Sequence, residues 1–259
     1  MITANQIKHI RSLQQKKFRD RYHQFVAEGE KIIQEMIISD FADIVSIYGT
    51  IDWMEEMEAQ IPGNVEKVRV SPKQLERIST LRSPNRVLAV VQKPKHPPPA
   101  QFASDDLIVI LENIQDPGNL GTIIRTADWF GVRHIFCTPD TADLFNPKVI
   151  QSSMGSFLRV RMYYTDILSF IQNFSREIAF YAASTDGGSL YDMSFSLPAA
   201  IVIGNESKGL SEKVLRATLK EMSIPSHKQG DSAEAPESLN AAMAAGIMMA
   251  HIRSKTAAT

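Results

Sequence analysis

The chain has 259 residues, 44% of them apolar, and a formal net charge of −1, so it is long enough for two packed domains and lacks the basic balance of a pure nucleic-acid binder. No apolar run is long enough to cross a bilayer, and we expect no secretory signal at the first residues. The single cysteine, Cys137, excludes an internal disulfide and a structural zinc site, so we expect a cytoplasmic protein without a metal.

The first part of the chain mixes predicted helices with short predicted strands. Apolar residues recur with helical spacing in two segments, residues 5–11 and 30–36. Short apolar runs predict three strands, at residues 44–48, 65–70 and 87–91. This alternation predicts a small α/β domain over residues 1–93.

Positive charge is concentrated near the start of this first part. Asp20 is the one acidic residue among six cations, Lys8, Arg11, Lys16, Lys17, Arg19 and Arg21. An isolated run of this kind is most often a solvated helix face. It becomes a candidate for phosphate contacts only if the rest of the chain points to RNA.

A proline-rich segment separates the two parts. Four prolines lie between residues 93 and 102, and such a stretch favours an extended connector over a helix or a central strand. We therefore place a linker at residues 94–103 and a second domain at 104–259.

The second part alternates strands and helices. Continuous apolar runs predict five strands, at residues 107–111, 134–137, 178–183, 200–203 and 221–224. Helical patterns cover residues 120–130 and 237–253. Apolar strands separated by helices are typical of a parallel sheet covered on both faces.

Ligands of open parallel sheets bind beyond the carboxyl ends of the strands, and a first polar segment follows the strand at 107–111. Asn113 leaves the strand, Pro117 and Gly118 turn the chain, and we expect Asn119 to cap the helix that carries Arg125. The plainer interpretation is a common turn and an arginine in a surface ion pair. The match of residues 118–121 to the G-x-x-G loop of KH domains is weak, because a KH loop joins two helices.

A second segment, residues 203–211, follows the strand at 200–203. Gly204 lets a ligand approach the backbone, Gly209 permits a tight turn, and Ser211 is a good helix N-cap. The segment could be no more than a corner between a strand and a helix. Glu206 at the mouth of the sheet is nevertheless a better functional candidate than a surface glutamate elsewhere.

A third segment follows the last strand and includes the start of the final helix. We expect Ser238 and Asn240 in the first turn of that helix, where free N–H groups favour oxygen-rich ligands. Leu239, Met243 and Ile247 recur every four residues and form a core or subunit-interface stripe.

In this order and combination, the three segments resemble the signature motifs of the SpoU (TrmH-type) RNA ribose methyltransferases. The resemblance covers about residues 104–254 and includes residues 146–148 and 153–156, which look like the linking segment of that family. Residues 5–31 resemble the N-terminal substrate-binding domain of many members.

The resemblance implies an α/β fold in which a knotted methyltransferase domain, residues 104–259, follows the small α/β RNA-binding domain. Its parallel sheet would contain a deep trefoil knot, which no periodicity could show. The cofactor implied is S-adenosyl-L-methionine, held mainly through backbone groups, with contacts carried over to Gly204, Ile224 and Leu239. Members are homodimers, with the C-terminal helix in the interface.

The activity implied is methyl transfer to a ribose 2′-hydroxyl. Arg125 would contact the hydroxyl or a neighbouring phosphate, and we prefer electrostatic stabilisation of the developing alkoxide to a role as base. Asn113 and Glu206 would orient Arg125 and the ribose, while Ser238 and Asn240 would shape the pocket. No metal is needed.

The N-terminal domain would then hold the RNA, with Lys16, Lys17, Arg19 and Arg21 as the expected contacts. Ribosomal RNA is favoured because this domain resembles those of ribosomal-RNA members, and transfer RNA is the alternative.

Two departures from the family pattern bear on the activity. Ser207 replaces a usual glycine, and the loop at residues 226–236 is longer than usual and could act as a lid or weaken cofactor binding. A non-catalytic RNA-binding member of the same fold therefore remains an alternative. A dehydrogenase or an ordinary Rossmann-type methyltransferase is disfavoured, because no G-x-G-x-x-G loop follows a predicted strand.

Overall fold

The computed structural model describes residues 2–39, 41–226 and 238–256. The chain divides into two compact units, residues 1–96 with 143–159, and residues 97–142 with 160–259. The division near residue 96 falls in the predicted linker. Residues 143–159 pack with the first unit, although the sequence analysis placed them in the second domain. The assignment of RNA binding to residues 1–93 and of methyl transfer to residues 104–259 stays a prediction.

The first unit is built on a four-stranded sheet with the order β1-β4-β2-β3. Its strands are β1 (Gln24–Glu28), β2 (Ile44–Gly49), β3 (Glu66–Arg69) and β4 (Val87–Gln92). Its helices are α1 (Ala4–Ser12), α2 (Lys16–Tyr22), α3 (Glu30–Ile37), α4 (Ile51–Met57), α5 (Pro72–Glu76) and α7 (Pro147–Ser153). Only β2 and β3 pair in parallel; β4 is antiparallel to both of its neighbours.

Local sequence explains how the first helix begins. The Thr3 side chain accepts a hydrogen bond from the Gln6 backbone N–H, and the Gln6 side chain accepts one from the Thr3 N–H. This capping box satisfies two amides at the end of α1. The two predicted helices and three predicted strands of this part are confirmed within two residues, whereas α2, α4, α5 and β1 were not predicted.

The segment at residues 143–159 joins the first unit through aromatic and polar contacts. Phe25 of β1 lies 4.6 Å from the Phe145 ring and 6.3 Å from the Phe157 ring, measured between centroids. Gln151 donates a hydrogen bond of 2.8 Å to the Glu28 carbonyl. These partners are far apart in the sequence, so no local pattern could have placed the segment here.

The second unit is a six-stranded sheet in which all neighbours are parallel, with the order β10-β8-β9-β5-β6-β7. Its strands are β5 (Leu107–Leu111), β6 (His134–Cys137), β7 (Arg161–Tyr164), β8 (Ala179–Ser189), β9 (Ala199–Ile203) and β10 (Lys220–Ser223). Its helices are α6 (Pro117–Trp129), α8 (Ile167–Phe174), α9 (Glu212–Ala217) and α10 (Ala241–Thr256). This confirms the predicted α/β class with a parallel sheet; the trefoil knot stays a prediction.

Helices cover the sheet of this unit. Alternate residues of β5, β8 and β9 pack with α8 and α9 in one core cluster that includes Ile110, Phe170, Val202 and Val214. Helix α10 packs against α6 and β9, and a Cβ added at Gly246 would lie 3.4 Å from Thr126. None of the helices in the described ranges is long and apolar enough to span a membrane.

Two predicted boundaries in this unit are wrong. The final helix begins at Ala241, so Ser238 and Asn240 precede it and do not lie in its first turn. Strand β8 continues to Ser189, well past its apolar part, because β10 pairs with its polar end, with Ser223 opposite Ser189. Residues 227–237, which include most of the long loop, lie outside the described part of the chain.

Candidate active site

The candidate site lies at the carboxyl edge of the sheet of the second unit, where three neighbouring strands end together. Leu111 of β5 is level with Ile203 of β9 and with Cys137 of β6. The Glu112 backbone N–H donates to the Ile203 carbonyl at 2.8 Å. Because the strands end in register, the polar residues that follow them meet at the edge where such sheets bind ligands.

Asn113 is fixed by bonds to the ends of both neighbouring strands. Its backbone N–H donates to Thr138 Oγ1 at 2.9 Å, and its carbonyl accepts from Asn205 Nδ2 at 3.0 Å. Its side-chain oxygen accepts from Gln115 Nε2 at 3.0 Å. The backbone φ of 60° is left-handed, a conformation that asparagine tolerates better than most residues. The bonds keep the Asn113 amide at the edge of the sheet.

The three strand-end segments meet at the side chain of Asn119. Its Nδ2 donates to a carboxylate oxygen of Glu206, and its Oδ1 accepts from Asn240 Nδ2 at 2.9 Å. Ser238 Oγ donates to the Glu206 carbonyl at 3.5 Å. We call Asn119, Glu206 and Asn240 the Asn119 junction. The structure thus brings together four of the residues that the sequence analysis selected or quoted, although they come from three separate segments.

The expected capping role of Asn119 is wrong. Asp116 caps α6, its carboxylate accepting from the Asn119 backbone N–H at 2.8 Å, and Pro117 takes the first helical position. Proline favours that position because its fixed φ suits a helix and it has no N–H to satisfy. The Asn119 side chain is therefore left for the junction. Asn240 serves as the cap of α10, its Oδ1 accepting from the N–H groups of Ala242 and Met243 at 3.0 and 3.3 Å.

Gly204 was expected to let a ligand approach the backbone, but in the structure it makes room for the chain itself. A Cβ at Gly204 would lie 2.5 Å from the Leu210 nitrogen and would also overlap the backbone of Gly209. The chain turns back here, because the Gly209 N–H donates to the Asn205 carbonyl at 2.8 Å and Gly209 has a φ of 64°. The close approach at Gly204 is made by the protein's own backbone.

Ser207 sits on the outer part of this turn. It is exposed, and its N–H donates to Asn205 Oδ1 at 3.0 Å, beside a similar bond of 3.2 Å from Lys208. A glycine is not required at a position with this bonding.

Arg125 projects from α6 without a partner. The side chain is exposed, and no hydrogen bond or ion pair joins it to any residue within the described ranges. The surface ion pair offered as the plainer interpretation is therefore not seen. Asn113 and Glu206 make their side-chain bonds to Gln115 and Asn119, and neither bonds Arg125. Arg125 is therefore an exposed positive charge on the helix that carries Asn119, without a partner among residues 2–39, 41–226 and 238–256.

The residues expected to bind the cofactor lie just outside three elements, Gly204 after β9, Ile224 after β10 and Leu239 before α10. Ile224 follows β10 and is half-buried, and Leu239 precedes α10 with 48% of its surface exposed. Partly exposed apolar side chains at a sheet edge suit an aromatic ring such as adenine. In the described part of the chain, no three His, Cys, Asp or Glu residues are grouped to hold a metal ion.

The single thiol is not available for chemistry. Cys137 is buried in the last position of β6, and burial raises the pKa of its thiol far above the usual value. A thiolate nucleophile is therefore excluded at this edge of the sheet.

Of the expected RNA contacts, Arg19 is placed differently from its neighbours. Lys16, Lys17 and Arg21 are exposed on α2, whereas the Arg19 side chain is only 2% exposed and forms an ion pair of 2.7 Å with Asp143. A buried and paired guanidinium has no face left for a phosphate. The structure therefore corrects the prediction for Arg19 and leaves the other three cations available.

Comparison with known proteins identifies the family. A model of the SpoU rRNA methylase family matches residues 106–250, more than half of the chain. The chain belongs to the SpoU rRNA methylase family. A model of the MRM3-like substrate binding domain matches residues 4–89 of this SpoU-family chain.

Individual relatives agree with that assignment. The 23S rRNA (guanosine(2553)-2′-O)-methyltransferase of Bacillus subtilis is 28% identical over 253 residues, covering 95% of each chain. A TrmH-family protein of Porphyromonas gingivalis is 36% identical, with a TM-score of 0.87 over 99% of this chain and 100% of its own. An AdoMet-bound rRNA methyltransferase of Sinorhizobium meliloti is 28% identical, with a TM-score of 0.82 over 99% and 97% of the two chains.

These matches confirm the family that the three motifs predicted. They also confirm the class of enzyme, an RNA methyltransferase that uses S-adenosylmethionine. The roles given to individual residues stay predictions.

The sequence analysis missed two residues that organise the site. Thr138 supports the backbone of Asn113 and also lies 3.2 Å from Thr141 Oγ1, and Asn205 ties the second segment to the first. Both follow a predicted strand directly or within two residues, so the signal used for the three segments could have found them. The position of Thr138 and Asn205 after a strand does not show which backbone groups their side chains bind.

Proposed function

We propose that this SpoU-family enzyme methylates a ribose 2′-hydroxyl in ribosomal RNA, with Arg125 at the reacting oxygen. The observation that carries the proposal is the Asn119 junction: it joins the segments of Asn119, Glu206 and Asn240, while Arg125 on the same helix is exposed and pairs with none of the residues that the structure describes. Relatives that act on ribosomal RNA favour that substrate over transfer RNA.

Arg125 is suited to stabilise charge on the hydroxyl oxygen. When bound, S-adenosylmethionine supplies a methyl group activated by a positively charged sulfur. A ribose hydroxyl is a weak nucleophile, and its oxygen becomes more negative as its proton passes to solvent water. The guanidinium of Arg125 carries a fixed positive charge and five N–H donors, so it lowers the energy of that developing charge.

The remaining residues hold the substrate and the loops in position. The amide of Asn113 lies at the sheet edge, where it can bind the ribose, and Glu206, Asn240 and Ser238 keep the three segments together. Ile224 and Leu239 would hold the apolar part of the cofactor, and the turn that Gly204 permits would border it. Positioning of this kind contributes to rate because reacting groups no longer have to find each other.

A homodimer and a cytoplasmic location are part of the proposal. Large apolar side chains are exposed on the C-terminal helix and its neighbour, with Met243 at 60% and Trp129 at 85%. An exposed apolar surface of this type is characteristic of a protein interface. Light scattering of the purified protein should give twice the mass of the chain.

The assay for the proposal is methyl transfer from labelled S-adenosylmethionine to ribosomal RNA from cells that lack the gene. Arg125→Ala should lower turnover by about a hundredfold to a thousandfold, as loss of one stabilising group at a developing oxyanion does. Cofactor binding, measured by calorimetry, should be unchanged. Arg216→Ala is the matched control, because Arg216 is also exposed on a helix of this unit but pairs with Glu212.

Near-normal turnover of Arg125→Ala would refute its catalytic role. Ribose methylations mapped in total RNA with and without the gene identify the substrate, and a change confined to transfer RNA would refute ribosomal RNA. Cofactor binding without any loss of methylation in the gene-deficient cells would favour the non-catalytic alternative.

A further inference from the structure

Three aromatic rings lie together where α1 and α2 meet in the first unit. The His9 ring is 4.8 Å from the Tyr22 ring and nearly perpendicular to it, and Phe18 and Tyr22 are 6.3 Å apart and nearly parallel. Tyr22 is 40% exposed, whereas His9 and Phe18 are half-buried. A hydrogen bond of 2.8 Å between His9 Nε2 and Gln24 Oε1 fixes the His9 ring. The exposed ring of Tyr22 is therefore supported by two others.

Cations lie over two of these rings. Lys17 Nζ lies 4.9 Å from the centroid of Phe18, and the Arg21 guanidinium carbon lies 5.6 Å from the centroid of Tyr22. Among the residues that the structure describes, no carboxylate forms an ion pair with either cation. The nearby Asp20 is bonded to Lys93 at 2.8 Å, and that hydrogen bond lowers the pKa of its carboxyl. The rings are thus bordered by uncompensated positive charge.

The helix that carries Phe18 and Tyr22 is anchored from inside the unit. Arg19, between Lys17 and Arg21 in the sequence, turns inward and bonds Asp143 together with the carbonyls of Leu13 and Gln14. This anchor fixes the rotation of α2, so that the opposite side faces solvent. A preformed surface loses little conformational entropy when it binds a ligand.

We propose that His9, Phe18 and Tyr22, with Lys17 and Arg21, bind unpaired nucleotides of the RNA substrate. A base stacks on the Tyr22 ring in place of the Arg21 guanidinium that now lies over it, and Arg21 and Lys17 contact the neighbouring phosphates. Stacking requires a free base face, which a continuous duplex does not offer, whereas loops and bulges do. The inference rests on the proposed function and narrows its substrate to RNA with a single-stranded segment outside the target nucleotide.

The test measures binding of the full-length protein to a fluorescein-labelled unstructured RNA strand and to the same strand annealed to its complement. Tyr22→Ala should weaken binding of the single strand about fivefold to a hundredfold, the range for loss of one base stacked on an aromatic ring. Duplex binding should stay within about twofold, and the salt dependence should be unchanged because no charge is lost. Tyr22→Phe should bind like the wild type.

Two further variants test whether the RNA affinity lost in Tyr22→Ala comes from base stacking. One removes a positive charge, and the other removes an exposed tyrosine elsewhere in the protein. Lys17→Gln should reduce the slope of log affinity against log salt for the single strand by about 0.7, the value for one lost phosphate contact. Tyr191→Ala removes a tyrosine that is 49% exposed in the second unit and should leave binding unchanged. All variants should keep the thermal midpoint of the wild type.

The results distinguish this inference from the proposed function. If Tyr22→Ala binds both RNA forms as tightly as the wild type, or loses affinity equally for both, the inference is overturned even when methyl transfer is normal. If the single strand depends on Tyr22 but the wild type transfers no methyl group to any RNA, the inference is supported and the proposed activity is refuted.

Discussion

Removal of the Arg19 side chain should destabilise the first unit strongly, although Arg19 belongs to a run of surface cations in the sequence. The side chain is 2% exposed and makes four hydrogen bonds of 2.7 to 2.9 Å. Arg19→Ala would leave the carboxylate of Asp143, 10% exposed, without its cation. Breaking a buried ion pair from one side costs about 3–5 kcal/mol.

Two further losses keep the expected effect toward the upper end of that range. The carbonyls of Leu13 and Gln14 both accept from Arg19 Nη1, and each would lose that donor. An unsatisfied buried acceptor costs about 1–3 kcal/mol unless water replaces the donor. Since a domain is stable by only about 5–15 kcal/mol in total, Arg19→Ala should unfold at a much lower urea concentration.

The protein contains a suitable reporter for this measurement. It has two tryptophans, of which Trp53 is fully buried in the first unit and Trp129 is 85% exposed in the second. In a Trp129→Phe background, the emission of Trp53 follows unfolding of the first unit alone. Arg21→Ala, an exposed neighbour on the same helix, is the matched control and should change the free energy of unfolding by less than about 0.5 kcal/mol.

The double variant Arg19→Met with Asp143→Leu should recover part of the stability, because an apolar pair leaves no buried charge. A loss below about 1 kcal/mol for Arg19→Ala, the size typical of an exposed ion pair, would refute the assignment of Arg19 as a buried anchor.

Three further measurements concern Gly204, Cys137 and the exposed cations of α2. Gly204→Val should lower the thermal midpoint by displacing the Gly209 turn, and an unchanged midpoint with lost cofactor binding would contradict this. Cys137 should resist alkylation by iodoacetamide at pH 8 until the protein is denatured, because burial raises the pKa of its thiol; rapid labelling of the native protein, followed by mass spectrometry, would be the contrary result. Neutralising the three exposed cations should lower the salt slope of RNA binding by about two to three while leaving the fold intact, and an unchanged slope would exclude phosphate contacts by Lys16, Lys17 and Arg21.

Truncation at residue 102 would not isolate the second unit. It would remove Phe25 and the other partners of Phe145 and Phe157, which are both buried with the first unit. Point substitutions are therefore the better way to separate RNA affinity from catalysis. A truncated protein should expose these rings and aggregate.

The sequence alone determined those helices and strands that are marked by a pattern of neighbouring residues. The strands Leu107–Leu111 and His134–Cys137 were predicted to the residue, because each is a short apolar run bounded by polar or turn-forming residues. The order of strands and helices was enough to predict the parallel sheet, since a parallel connection needs a crossover segment. The motif residues Asn113 and Glu206 were found from their positions after strands, and Asn240 was found from its expected place in the first turn of the final helix, although that helix begins one residue later.

The start of α6 could not be decided from the sequence pattern alone, because two residues there can cap a helix. Asp116 and Asn119 are both suitable N-caps for α6, and the proline at 117 favours the earlier start. The side chain of Asn119 then lies one turn inside the helix, where it meets Glu206 and Asn240. That meeting depends on the adjacency of β5 and β9, which the pattern of either strand alone does not contain.

The tertiary structure alone decided which cations of the N-terminal run face water. Composition gives the number of positive charges, and helical periodicity gives their angular spacing, but neither shows what packs against the helix. Asp143 reaches Arg19 from a position 124 residues later in the chain. Its carboxylate makes burial of one arginine favourable and leaves Lys17 and Arg21 outside, because the desolvation cost of a charge is offset only where an opposite charge and hydrogen-bond acceptors surround it.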